Sequence, residues 1–221
     1  MVAVTAASDD PLDDRARLAQ RAPGPDIDLS GFPESTLSGT GALYRAHGVR
    51  NDPWWFTSAG SGRFDLSAPR GTCYAADGTA VAVRERLGRH YAGGGVAPAG
   101  LVDDTVVTEV TPRAGRAAEL EHPDVADYPV TGELTTMSDY GIPQAWAAAF
   151  DEAGFDAIHY RGRLSHSYGV CCWALFDDAG AKAYPTGATI GGRDACAVAG
   201  IRVMPPPPTD ATTLSVVTPP G

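Results

Sequence analysis

Apolar positions along the chain follow two periods. Alternation of apolar and polar residues marks half-buried strands at ALYRAH (42–47), at TCYAA (72–76) before the turn pair Asp77-Gly78, and at DTVVTEVTP (104–112), which Pro112 stops. Two denser runs, FDAIHYR (155–161) and VCCWALFDD (170–178), read as buried strands flanking the loop GRLSHSYG (162–169). Helical spacing appears twice. TAVAVRERLGRHY (79–91) has Thr79 as N-cap candidate and Ala80, Val83, Leu87 and Tyr91 on one stripe, with Arg84 and Glu85 outside it. IPQAWAAAFDEAG (142–154) has Pro143 in its first turn, Trp146, Ala149, Phe150 and Ala153 as core face, and Gly154 past its end.

Strands outnumber helices and do not alternate strictly with them. The pattern predicts an α+β fold around a curved or split mixed β-sheet with flanking helices. Residues 1–38, rich in Asp, Pro, Gly and Ala, read as a loosely packed and partly disordered lead-in, with one short helix at DDRARLAQR (13–21). Residues 204–221 hold too much proline for a core element and read as a disordered tail. One domain, 39–203, is left, with its chemistry expected between Thr40 and Ala183. A chain of 221 residues is long enough to bury a sizeable core.

Charge narrows the function. With 27 acidic and 17 basic residues the net charge is −10, opposite to the basic surplus of a general nucleic-acid binder. It leaves room for a local arginine pocket around one small phosphate ligand. No stretch approaches the roughly 18 apolar residues of a membrane span, and the N-terminus lacks the pattern of a signal peptide. Cys73, Cys171, Cys172 and Cys196 form no CxxC pair, and His47, His90, His122, His159 and His166 are scattered. Reduced thiols in a cytoplasmic protein and no metal site are expected.

The chemistry gathers in the first half. Arg45 sits within a strand pattern, and Arg63 lies in the glycine-bounded segment GSGRFDL (60–66), which follows PWWF (53–56). Arginine offers a planar fork of donors matched to phosphate oxygens and stays charged at working pH. Tyr44 and Tyr74 can stack on a base or ring. Glu85 supplies a carboxylate. Phosphates, an aromatic ring and a sugar that turns cationic as its glycosidic bond breaks are all found in a nicotinamide dinucleotide. Cleavage of its nicotinamide–ribose bond develops oxocarbenium character, which a nearby carboxylate stabilises, while arginines on the pyrophosphate hold the scissile bond in place.

At LYRAHG, WWFTSAGSGRFDL, GTCYAADGTAVAVRE and FDAIHYRGR…CCWALF, taken in order, the chain resembles the RES-domain family of bacterial toxin–antitoxin systems. The resemblance implies a fold similar to ADP-ribosyltransferase toxins and an NAD-degrading activity, by hydrolysis or phosphorolysis, with NAD as substrate and no cofactor. It also implies a helix-turn-helix antitoxin as partner; self-association into a homo-oligomer is a further option. By the same resemblance Arg45 and Arg63 bind phosphates, Tyr74 lines the nicotinamide side and Glu85 is the catalytic carboxylate. A serine is expected just after the Tyr160-Arg161 pair, where this chain has Gly162; Ser165 or Ser167 is the substitute in the same loop. The alternatives are a protein ADP-ribosyltransferase and a module that holds NAD or ADP-ribose without cleaving it.

Overall fold

The computed structural model describes residues 19–37, 41–91, 95–164 and 169–205. An eight-stranded mixed sheet organises them, in the order β1-β7-β8-β9-β4-β2-β6-β11. Its strands are β1 (Glu34–Thr36), β2 (Leu43–Gly48), β4 (Arg70–Ala76), β6 (Thr105–Val110), β7 (Arg116–Glu119), β8 (Ala157–Tyr160), β9 (Cys172–Asp178) and β11 (Thr186–Gly191). The β7–β8 pairing is parallel, and the other pairings are antiparallel. Four short strands form two small ribbons: β3 (Trp55–Phe56) with β10 (Gly180–Ala181), and β5 (Val96–Pro98) with β12 (Arg202–Met204). The helices are α1 (Thr79–Tyr91), α2 (Ala99–Asp103), α3 (Gly141–Glu152) and α4 (Gly192–Ala199).

Period-two alternation along β9 assigns its side chains to two cores. Cys172, Ala174 and Phe176 join the larger one, with Val83 and Leu87 of α1 and Trp146 and Phe150 of α3. Trp173 and Leu175 join the smaller one, with Leu43, Trp54, Phe56 and Cys73. Both faces of the central strands are therefore covered, which explains why their sequence reads as nearly continuous apolar runs.

The sheet is split. Strand β2 pairs with β6 over six residues, and β4 pairs with β9 over seven. Between β2 and β4 the register holds at one position, Tyr44 opposite Ala76. The predicted α+β fold with a split mixed sheet is the one found. All five strands read from the apolar pattern and both predicted helices are present within a few residues of the expected limits.

Several details differ from expectation. The lead-in is packed from Gln20 onward: Leu29 and Phe32 are buried, and Glu34–Thr36 form an edge strand on β7. Most of the helix expected at 13–21 lies outside the described residues, as do 206–221 of the tail; Met204 ends β12. In α1, Thr79 is already helical, and the carbonyl of Gly78 accepts the first bonds from Val81 and Ala82. Tyr91 lies outside the described side chains. In α3, Ala147 takes the core position predicted for Ala153, which is exposed. Gly154 closes that helix at φ 84°, the left-handed conformation that glycine adopts without strain. Among the described residues no helix is long and apolar enough to cross a membrane.

Candidate active site

A cavity of about 370 Å³ opens where β2 and β4 part. It is lined by Tyr44, Arg45, Arg63, Tyr74 and Glu85, so five of the six residues singled out in the sequence converge. The sixth, Ser165, and its alternative Ser167 lie outside the described residues. A volume of this size falls within the roughly 300–1,000 Å³ of small-molecule sites.

Arg45 crosses the floor of the split. Its guanidinium donates to the carbonyls of Trp55, at 3.0 Å, and Tyr74, at 3.4 Å, and to the sulfur of Cys73. Its Nε is buried with no protein partner. Losing strand partners at the split leaves backbone carbonyls to satisfy, and a strand arginine does so here.

Arg63 is held by the segment before β4. Asp65 accepts the N–H of Gly62 at 2.9 Å and the hydroxyl of Tyr74 at 2.9 Å, while that hydroxyl accepts the N–H of Phe64 at 2.8 Å. Gln144 of α3 donates to the carbonyls of Gly60 and Gly62. Gly62 is required at this turn, since a Cβ there would stand 2.5 Å from the Tyr74 oxygen. Arg63 itself donates to the Met137 carbonyl and lies 5.0 Å from the centre of the Tyr140 ring, a cation–π distance. Tyr74 lines the cavity, but its hydroxyl is committed to this turn. Burial and the neighbouring Asp65 carboxylate push its ionisation well above the ordinary range.

Glu85 reaches the cavity from α1. Its Oε1 accepts the backbone N–H of Leu164 at 2.8 Å. A Cβ at Gly162 would stand 2.5 Å from the same oxygen and 2.7 Å from the Cys172 sulfur, so the loop backbone lies directly on the carboxylate. Tyr160 and Cys172 complete the surroundings, and burial, reinforced by negative neighbours including Glu85, pushes both ionisations up and keeps both groups neutral.

Sequence reasoning missed Arg86, Arg163, Asp65, Tyr140 and Tyr160, all of which line the cavity. Arg86 donates to Thr105 at 3.3 Å. Its basicity is lowered by burial, with Arg45 adding repulsion. A helical signal for it existed: Ala82, Glu85 and Arg86 stand at i, i+3 and i+4 and share the cavity face. Four guanidinium groups thus face two carboxylates in a chain of net charge −10. The field of the site is locally opposite to that of the protein, as an anionic ligand requires.

The fold and the sequence can each be set beside known proteins. The RES domain model matches residues 42–191, and the chain belongs to the RES domain family. Among solved structures, the fold is similar to the one described as "Crystal structure of the M.tuberculosis MbcT-MbcA toxin-antitoxin complex", with a TM-score of 0.59 at 14% identity, covering 78% of this chain and 94% of that one. No curated protein sequence matches the chain.

Proposed function

We propose that the protein degrades NAD by breaking the nicotinamide–ribose bond, and that it acts as the toxin of a toxin–antitoxin pair. The observation that carries this reading is the convergence of Glu85 with Arg45, Arg63 and Arg86 in one cavity. Family membership and the toxin–antitoxin neighbour support it.

In this reading the arginines bind the pyrophosphate, and that remote binding energy positions the reacting ribose. Tyr44 and Tyr140 offer aromatic faces for the rings of the ligand. Glu85 holds the ribose hydroxyls and stabilises the positive charge that develops as nicotinamide departs. The electron pair of the breaking C–N bond leaves with nicotinamide. Water or inorganic phosphate then bonds to the ribose carbon and gives up a proton. No covalent protein intermediate is needed.

Gly162 stands where a serine is expected, but Glu85 does not lack a donor there. The Leu164 N–H donates to Oε1, the same oxygen that a side chain at residue 162 would crowd. A backbone donor fixes the carboxylate without the freedom of a rotating hydroxyl. This favours turnover over passive NAD binding. Transfer to a protein acceptor uses the same cavity and is separated by its product.

The test is consumption of NAD by the purified protein, with and without inorganic phosphate, following nicotinamide and the ADP-ribosyl product. Nicotinamide release supports the reading, and a requirement for phosphate selects phosphorolysis. NAD bound but intact overturns it in favour of a binding module. Label from NAD appearing on protein selects the transferase.

A further inference from the structure

Across the sheet from Tyr160 and Cys172, a second group of side chains converges. His159 follows the smaller core's face of β8 and stacks on Trp173, with ring centres 4.1 Å apart and planes 29° from parallel. Its Nδ1 is hydrogen-bonded to the carboxylate of Glu119 on β7, which leaves Nε2 as the available nitrogen. The Cys171 sulfur lies within 4.8 Å of the same imidazole. Asp77, at the turn between β4 and α1, accepts the Trp173 indole N–H at 2.6 Å and the Cys171 N–H at 2.8 Å. Each of its oxygens retains a lone pair.

We propose that Asp77, His159 and Cys171 form a binding site for a divalent cation of the zinc class, with Glu119 orienting the imidazole from behind. Their donor atoms all lie within 4.8 Å of one another. One carboxylate, one imidazole and one thiolate make a borderline-soft set that selects zinc over magnesium or calcium. A histidine ligand whose other nitrogen meets a carboxylate is the usual outer-shell support of such an ion. Asp77 is exposed and Cys171 half-buried, so the ion enters from solvent and a water completes its coordination.

The competing reading is a reactive thiol paired with His159 and Glu119. Reactive cysteines sit in electropositive surroundings. Here two carboxylates, Asp77 and Glu119, crowd the single imidazole. That surplus of negative charge suits a dication. The three ligands lie far apart in the sequence, with none of the short spacings that announce zinc sites. Once bound, the ion would tie the turn before α1 to β8 and to the entry of β9.

The experiment is titration of the chelator-treated full chain with Co²⁺. The expected result is one equivalent bound, a sulfur-to-cobalt charge-transfer band, displacement by Zn²⁺ and none by Mg²⁺. Cys171→Ser should abolish the band, while Cys196→Ser keeps it. Glu119→Gln should weaken affinity roughly 10–100-fold, as outer-shell changes do. Asp77→Asn, which retains an acceptor oxygen for Trp173, should also weaken binding and serves if Cys171→Ser fails to fold. No charge-transfer band in the wild type, a band that survives Cys171→Ser, or unchanged affinity in Asp77→Asn overturns the proposal.

Discussion

The backbone N–H of Leu164 donates to Oε1 of Glu85 at 2.8 Å, joining the loop after β8 to the helix that bears the carboxylate. Glu85 is therefore positioned from two directions, by α1 beneath it and by the loop above it. Its substitution separates position from charge.

Glu85→Gln keeps the acceptor oxygen and the side-chain length but removes the negative charge. NAD affinity should change little, while turnover should fall by about 10²–10³-fold, the usual effect of removing one transition-state stabiliser. Calorimetric binding beside nicotinamide release at saturating NAD measures both. Equal turnover would remove Glu85 from the catalytic role.

Arg63 is anchored at one nitrogen by the Met137 carbonyl and lies over Tyr140, which leaves further N–H groups for a ligand. Arg63→Ala should weaken NAD binding at least about tenfold, since a hydrogen bond to a charged group contributes roughly 1.5–3 kcal/mol. The melting temperature should stay close to that of the wild type. Unchanged affinity would place the phosphates elsewhere.

Gly162→Ser puts a Cβ against Glu85 and Cys172. Overpacking of this kind costs about 1–3 kcal/mol, and here it also displaces the loop from the carboxylate. Both stability and turnover should drop, as read by thermal melting and nicotinamide release. A Gly162→Ser protein that melts as the wild type does and turns over faster would show that the loop yields and that a hydroxyl is the better donor.

His47 is buried on β2, with its ring between Thr108 and the Gly48 carbonyl. Burial lowers its pKa below the ordinary 6.5, and nearby Arg45 acts in the same direction. The unfolded chain takes up a proton near that value while the native ring stays neutral. Its contribution to stability is therefore present above pH 6.5 and is lost as pH falls toward the lower native value. Melting curves across this range should decline more steeply for the wild type than for His47→Gln. Parallel curves would show that His47 does not carry the dependence.

Long-period apolar signals were legible in the sequence, and polar edges were not. β9 and α3 bury enough apolar surface to show their period. By contrast β1 (EST), β7 (RAAE) and β11 (TGATIG) are short, charged or glycine-containing, and β1 and β11 lie at the sheet's two edges, where one strand side needs no partner. The same division holds for the cavity. Glu85, Arg45 and Arg63 stand in motifs, and Arg86 was recoverable from its helical offset to Glu85. Tyr140 precedes α3 and arrives through tertiary packing, which no local pattern announces. Asp65 stands inside GSGRFDL and closes its turn on Gly62, but its bond to the Tyr74 hydroxyl is a tertiary one.

The packing of α4 reaches beyond its own small core. The matched family region ends at Gly191, one residue before this helix begins. Yet Ala195, Cys196 and Ala199 are buried, and Arg84, next to Glu85 on α1, donates to the Ala199 carbonyl at 2.6 Å. At the opposite border, β1 covers the outer side of β7 from upstream of the match. A protein trimmed to the match would keep every residue of the cavity named here. It would also uncover a sheet edge and remove the packing behind the helix that bears Glu85, so the folded unit is larger than the segment that identifies the family.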